Sequence, residues 1–185
     1  MRLIRHSDRA FSLHDFLLAS ECTELIGLAE AGGFSTAGVR TSGGPKAMPG
    51  VRNNERVLVE SPHWVSLLSQ RLTQVALPAI GAEVAKGLPK DLRFYKYSPG
   101  QRFKMHKDGP WTEAGLTSQL TLLVYLNEGF SGGDTSFREF TVEPCTGSAL
   151  LFIHDTWHEG TAVTEGTKYV LRSDVLYGPG DAAAA

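Results

Sequence analysis

The stretch Leu120-Thr121-Leu122-Leu123-Val124-Tyr125-Leu126 decides the fold class. It is almost wholly apolar and runs into a glycine-rich connection from Asn127 to Gly133, so it reads as a strand. The same period-two texture begins at about Leu92. Leu92 to Tyr97 reads as a strand closed by the turn Ser98-Pro99-Gly100-Gln101. Shorter strands follow at Thr135 to Phe140, Ser148 to Ile153 and Lys168 to Tyr177. Several strands parted by Gly and Pro turns predict a sandwich or barrel.

Ahead of residue 92 the texture differs. Ser20 is placed to cap a helix running to about Ala31, with Glu21 and Glu24 near its positive end and Gly32-Gly33 ending it. Ser61 as cap and Pro62 as first helical residue open a second helix to about Val75. Residues 35–55 read as a long loop, and long ordered loops are often lids or binding loops. Helices first and sheet second predict an α+β, mainly β chain with helices packed outside one β core. The expected organisation is a single domain over 1–180, with helical support and loop in 1–91, the β core in 92–177, and a disordered tail at 181–185.

Composition narrows the class. The chain has 185 residues, 42% hydrophobic and 21% charged, an ordinary globular mix. Eighteen Lys and Arg face 20 Asp and Glu, so no basic excess points to nucleic acid. The two cysteines, Cys22 and Cys145, have no metal-type spacing and read as free thiols of a reducing compartment. Met1-Arg2-Leu3-Ile4-Arg5-His6 lacks a following apolar run, and no stretch approaches a membrane span. The expectation is a soluble cytoplasmic protein; oligomeric state is not legible.

His106-Lys107-Asp108 is the sharpest local feature. On an extended chain, residues i and i+2 share a face about 7 Å apart, so an imidazole and a carboxylate can share a metal. His158 follows the apolar strand Ala149 to Ile153 and supplies a second imidazole. Two histidines and one carboxylate leave three open positions, which suits non-haem Fe(II) and O2 chemistry. His154, four residues before His158, lacks an H-E-x-x-H frame and reads as a pocket or surface residue. In the last strand, alternation puts Lys168, Val170, Arg172 and Asp174 on one face. Asp174 can answer Arg172, which leaves Lys168 in need of an acid. Each feature alone has an ordinary explanation: a surface His/Asp pair, a core tyrosine, an exposed strand lysine.

Taken together, Tyr97-Ser98-Pro99-Gly100, His106-x-Asp108, Thr121 to Asn127, Gly132-Gly133-Asp134-Thr135, Pro144-x-x-Gly147-x-Ala149-Leu150-Leu151-Phe152, His158 and Lys168 resemble the prolyl 4-hydroxylase branch of the Fe(II)/2-oxoglutarate oxygenases. The resemblance covers about residues 92 to 177. It implies a double-stranded β-helix, or jelly roll, with iron at its open end. It implies His106, Asp108 and His158 as iron ligands. It implies Lys168 and Tyr125 on the distal carboxylate of 2-oxoglutarate, Tyr97 near the co-substrate or iron, and Arg172 as a substrate contact or the alternative carboxylate anchor. Fe(II), 2-oxoglutarate and O2, with ascorbate in addition, are the implied cofactors. The implied reaction hydroxylates an unactivated C–H bond and releases succinate and CO2. The substrate is a peptidyl proline or a small amino-acid-like molecule; Asn53, Arg56, Arg102, Trp111 and Trp157 are candidate substrate contacts. A non-catalytic jelly-roll module is the competing class, and a cupin-type enzyme without 2-oxoglutarate a weaker third.

Overall fold

The computed structural model describes residues 1–41, 44–46 and 48–180, with the backbone alone for 39–41 and 44–46. The expected tail at 181–185 lies outside them. In chain order the elements are β1 (Arg2–Ser7), β2 (Ala10–His14), α1 (Ala19–Gly32), β3 (Ser35–Thr36), β4 (Val39–Thr41), β5 (Gly44–Lys46), β6 (Glu55–Glu60), α2 (Pro62–Leu72), β7 (Glu83–Gly87) and β8 (Asp91–Tyr97). There follow β9 (Phe103–His106), β10 (Thr112–Glu113), β11 (Leu116–Tyr125), β12 (Ser131–Gly132), β13 (Thr135–Phe137), β14 (Thr141–Val142), β15 (Ala149–Ile153), β16 (His158–Gly160), β17 (Val163–Glu165) and β18 (Lys168–Pro179).

The main sheet runs β1-β2-β15-β11-β18-β8-β6-β3, and a smaller one runs β14-β13-β16-β9. The two meet through an inner cluster that joins Phe137 and Val142 of the smaller sheet to Tyr95, Leu150, Phe152 and Val170 of the larger. This two-layer β core is the double-stranded β-helix. Alternation along the central strands builds both sides of it. Leu120, Leu122 and Val124 of β11, with Leu171 and Val175 of β18, face the helices. Tyr125 and Val170 face the inner cluster. The helices cover the outer face with Leu25 and Ala29 of α1 and with Trp64, Leu68 and Leu72 of α2, spaced four apart on one stripe. Burial of each large side chain contributes roughly 1.5–3 kcal/mol.

The N-terminal part is more than helical support. β1 and β2 extend the main sheet beside β15, and β6 pairs along its whole length with β8. The sequence of β1 is mixed polar and apolar, so its strand state comes from pairing with a neighbour rather than from its own pattern. The expected long loop at 35–55 holds β3, β4 and β5.

Both helices differ from expectation at one end. α1 is capped from Leu18, not Ser20, because Glu21 Oε2 accepts from the Leu18 amide at 2.7 Å. α2 starts as expected, with Ser61 Oγ accepting from Trp64 N. It stops at Leu72 rather than Val75, and the Thr73 hydroxyl turns back onto Gln70 O at 2.7 Å. Arg71 at the end of α2 donates to both Glu21 oxygens, at 2.8 and 2.6 Å, and to Phe16 O at 2.7 Å, so the helices are latched together. Gly147 must be glycine: its φ is +76°, and a Cβ there would sit 2.2 Å from Leu17 O.

Candidate metal centre and its cleft

β9 and β16 pair with His106 directly opposite His158, and their rings are 4.2 Å apart. Asp108 lies two residues beyond β9, where its amide donates to His154 O at 3.1 Å and so ties it to the segment leading into β16. One donor atom from each of His106, Asp108 and His158 lies within 4.8 Å of the other two. His106 Nε2 is 3.7 Å from Asp108 Oδ1, and His158 Nε2 is 3.8 Å from Asp108 Oδ2. His154 stands outside this group. It is buried, with its ring nitrogens on Thr121 Oγ1 at 2.9 Å and Ser118 Oγ at 3.1 Å.

The far nitrogens assign the tautomers. His106 Nδ1 lies 2.7 Å from Lys104 O and His158 Nδ1 lies 3.0 Å from Thr156 O. A carbonyl only accepts, so each Nδ1 carries the proton and each Nε2 lone pair faces Asp108. Burial, then the neighbouring His158, pushes His106 down to about 4. Burial likewise holds His158 below its ordinary value. Burial alone would raise the Asp108 carboxyl, but the charges of Arg172, His158 and His106 and the hydrogen bond from Thr121 hold it far below the usual range. Three unprotonated donors converging without a cation among them is the donor set a divalent metal requires. Asp108 is itself oriented by the Thr121 hydroxyl at 2.5 Å and by Arg172 Nη2 at 3.2 Å.

A cleft opens beside these three. Tyr97, Thr135 and Lys168 line one part of it, and Tyr95, Phe103 and Arg172 line another. Lys168, the first residue of β18, is 3% exposed and has no carboxylate within 4 Å among the described residues. Its Nζ donates to Gly133 O and lies 5.4 Å from the Tyr97 ring centre and 5.2 Å from that of Tyr125. Burial pushes its ammonium down to about 7, against the pull of Asp134. Arg172, four residues on, is fully paired: Nη1 donates to Asp174 Oδ2 at 2.9 Å and Nη2 reaches Asp108. The expected Arg172–Asp174 pair is therefore present.

Other expected residues sit elsewhere. Tyr125 does not line the cleft; its hydroxyl donates to Thr135 Oγ1 at 2.7 Å, and Thr135 is the residue presented there. Asn53 is a clamp, accepting from the Arg102 amide and donating to Gly100 O. Arg102 is exposed, and Arg56 lies in β6 opposite Tyr95. Trp111 turns its Nε1–H onto Asp174 at 2.8 Å. Trp157, 37% exposed, carries Lys107 and Arg138 over its ring. None of these five lines the cleft.

Sequence reasoning passed over Tyr95, Phe103, Leu123, Thr135 and Val170, all of which line it. Stepping two residues from Tyr97, Tyr125 and Lys168 would have found Tyr95, Leu123 and Val170. It placed Arg52 only within the polar run Arg52 to Arg56, read as a solvated segment or a substrate contact; that run borders β9. Arg52 bridges to Phe103, and Lys104 N donates to Val51 O at 3.0 Å.

Comparison with known proteins agrees with this geometry. Residues 92–173 match the family model of the 2OG-Fe(II) oxygenase superfamily. A protein of Acanthamoeba polyphaga mimivirus named "Putative prolyl 4-hydroxylase" is 26% identical, covering 88% of this chain and 72% of its own. The viral collagen prolyl hydroxylase of Paramecium Bursaria Chlorella virus-1, solved with 2OG, superposes with a TM-score of 0.67 at 21% identity, over 92% of this chain and 96% of that one. A prolyl hydroxylase of Trichoplax adhaerens, solved with a hypoxia inducible factor peptide fragment, gives 0.72 at 17% identity, over 92% and 84%. No helix among the described residues is long and apolar enough to cross a membrane.

Proposed function

From the premise that this chain belongs to the 2OG-Fe(II) oxygenase superfamily, in its prolyl 4-hydroxylase-like branch, we propose how its residues divide the work of a C–H hydroxylase. His106, Asp108 and His158 hold iron, and the convergence of their donor atoms within 4.8 Å is the observation that carries the reading. Iron(II) bound there supplies the O2-dependent decarboxylation of 2-oxoglutarate that turns a substrate C–H into C–OH, with release of succinate and CO2. Lys168 binds the distal carboxylate of 2-oxoglutarate, which gives its buried ammonium the acid the chain withholds. Thr135, backed by Tyr125, and Tyr97 complete that end. Leu123, Val170 and Phe103 wall the cleft and exclude water from the co-substrate.

A binding-only module is not favoured, because His106, Asp108, His158 and Lys168 are all present. The substrate is peptidyl or a small amino-acid-like molecule. Ascorbate enters on the family resemblance, and the two free thiols support a reducing, cytoplasmic setting. The test is succinate release from 2-oxoglutarate with and without Fe(II), alongside mass spectrometry for gain of one oxygen atom across peptides and free amino acids. Succinate release must require Fe(II) and vanish in His158→Ala; release that survives either change refutes the assignment.

A further inference from the structure

Arg52, like Lys168, is a buried cation with no acid partner among the described residues. It is 6% exposed, and its Nε donates to the neutral amide oxygen of Asn54 at 2.7 Å. Its Nη2 is buried with no hydrogen-bond partner. Among the described residues no carboxylate comes within 4 Å of it. The other guanidiniums around the cleft are matched: Arg172 has Asp108 and Asp174, and Arg93 shares Asp174. A buried charge without a counter-charge is costly, so such a group is a candidate for completion by a ligand.

Its surroundings say which direction that ligand comes from. The guanidinium lies 4.3 Å from the ring centre of Tyr95 and 4.5 Å from that of Phe103, and both rings line the cleft beside His106. Phe103 in turn stacks on the His106 ring at 3.6 Å. Burial would raise the Tyr95 phenol, but the nearby guanidiniums of Arg52, Arg172 and Arg93 hold it below its ordinary value; of these three, Arg52 alone has no carboxylate partner among the described residues. In the reading above, 2-oxoglutarate gives its distal carboxylate to Lys168 and its other end to the metal, which leaves Arg52 without an acid.

Resting on the oxygenase reading above, we propose that Arg52 and the Tyr95 hydroxyl form a subsite for a carboxylate of the substrate. The molecule oxidised is then an acid, either a small amino-acid-like carboxylate or a peptide with an acidic side chain beside the target carbon. Nη2 is closed to bulk water by cleft-lining rings, so the carboxylate reaches it from inside the cleft by shifting the edge of Phe103.

Binding without turnover tests this, using protein loaded with Mn(II) and 2-oxoglutarate in the absence of O2. The probes are two matched pairs: N-acetyl-L-proline against its prolinamide, and a proline peptide carrying Asp after the proline against the same peptide carrying Asn. Calorimetry should show the acid of at least one pair binding roughly ten-fold or more tightly than its neutral partner, the scale of a charge-assisted hydrogen bond. Preference in the first pair identifies a small acid, and in the second an acidic peptide. Arg52→Gln should erase the preference. Asn54→Asp should erase it too, by giving Arg52 an acid from within, and it keeps the test open if Arg52→Gln does not fold. Equal affinities in both pairs, no binding in either, or a preference that survives the substitutions overturns the proposal. Loss of Mn(II) and 2-oxoglutarate binding by the unaltered protein would instead overturn the oxygenase reading.

Discussion

Lys168 shows how much one buried side chain can report. Its folded-state ammonium titrates at about 7, well below the ordinary 10.5, because burial strips its water. Between those values the unfolded chain binds the proton that the folded chain lacks, so the metal-free protein should gain stability as pH rises from about 7 toward 10. Denaturant unfolding at several pH values should show that rise, and Lys168→Met should remove that residue's share of it. Replacing Lys168 with Ala should weaken 2-oxoglutarate binding by more than about ten-fold, read by competition or by its KM. If Arg172→Ala destroys that binding while Lys168→Ala spares it, the carboxylate anchor is Arg172. Thr121 acts one step back, holding Asp108 through a single hydroxyl. Thr121→Val should cost about ten-fold or more in Fe(II) affinity, measured anaerobically, as loss of a ligand's outer partner does elsewhere.

The elements explain what sequence could and could not disclose. β11 and β18 were legible because their residues are apolar on both faces, as central strands must be. The candidate donors His106 and Asp108 were legible as a pair because two such side chains with one residue between them stay close in sequence, although Asp108 lies beyond the end of β9. β1, β2 and β6 were not, since their strand state depends on pairing with β15 and β8. Tyr125 and Thr135 could not be told apart in rank, because which of two bonded hydroxyls faces a cleft is decided by how two strands meet. Arg52 was hidden inside a polar run that looks solvated, and only the fold buries it. The Arg71–Glu21 latch belongs to this scale as well. Both side chains are less than a third exposed, and the contact is bidentate. Arg71→Ala should lower stability by about 1–3 kcal/mol in denaturant unfolding without altering metal binding. Gly147→Ala should destabilise the chain as well, through its positive φ and the Leu17 carbonyl.

At the scale of the whole molecule, the proposed iron and co-substrate would join parts that are distant in sequence. The donors come from β9, the turn after it and β16, while Lys168 comes from the centre of the main sheet. Binding them should therefore stabilise the entire chain, by about 2.7 kcal/mol at a hundred-fold excess over Kd. Thermal unfolding should show a rise with Mn(II) and 2-oxoglutarate together, and none with either Asp108→Ala or a chelator present. The helices lie on the other face of the main sheet, so substitutions there should shift the melting temperature and leave that ligand-dependent increment intact.

β9 has a neighbour on each side: β16 with His158 on one, and the Val51–Arg52 segment on the other. One four-residue strand thus serves two tenants. An engineer who rebuilds residues 50–54 to redirect selectivity will disturb the seat of His106, and metal loading will suffer before any new preference emerges. The rim at Trp157 is no freer: Trp157 precedes His158, and its ring carries Lys107, which stands between His106 and Asp108.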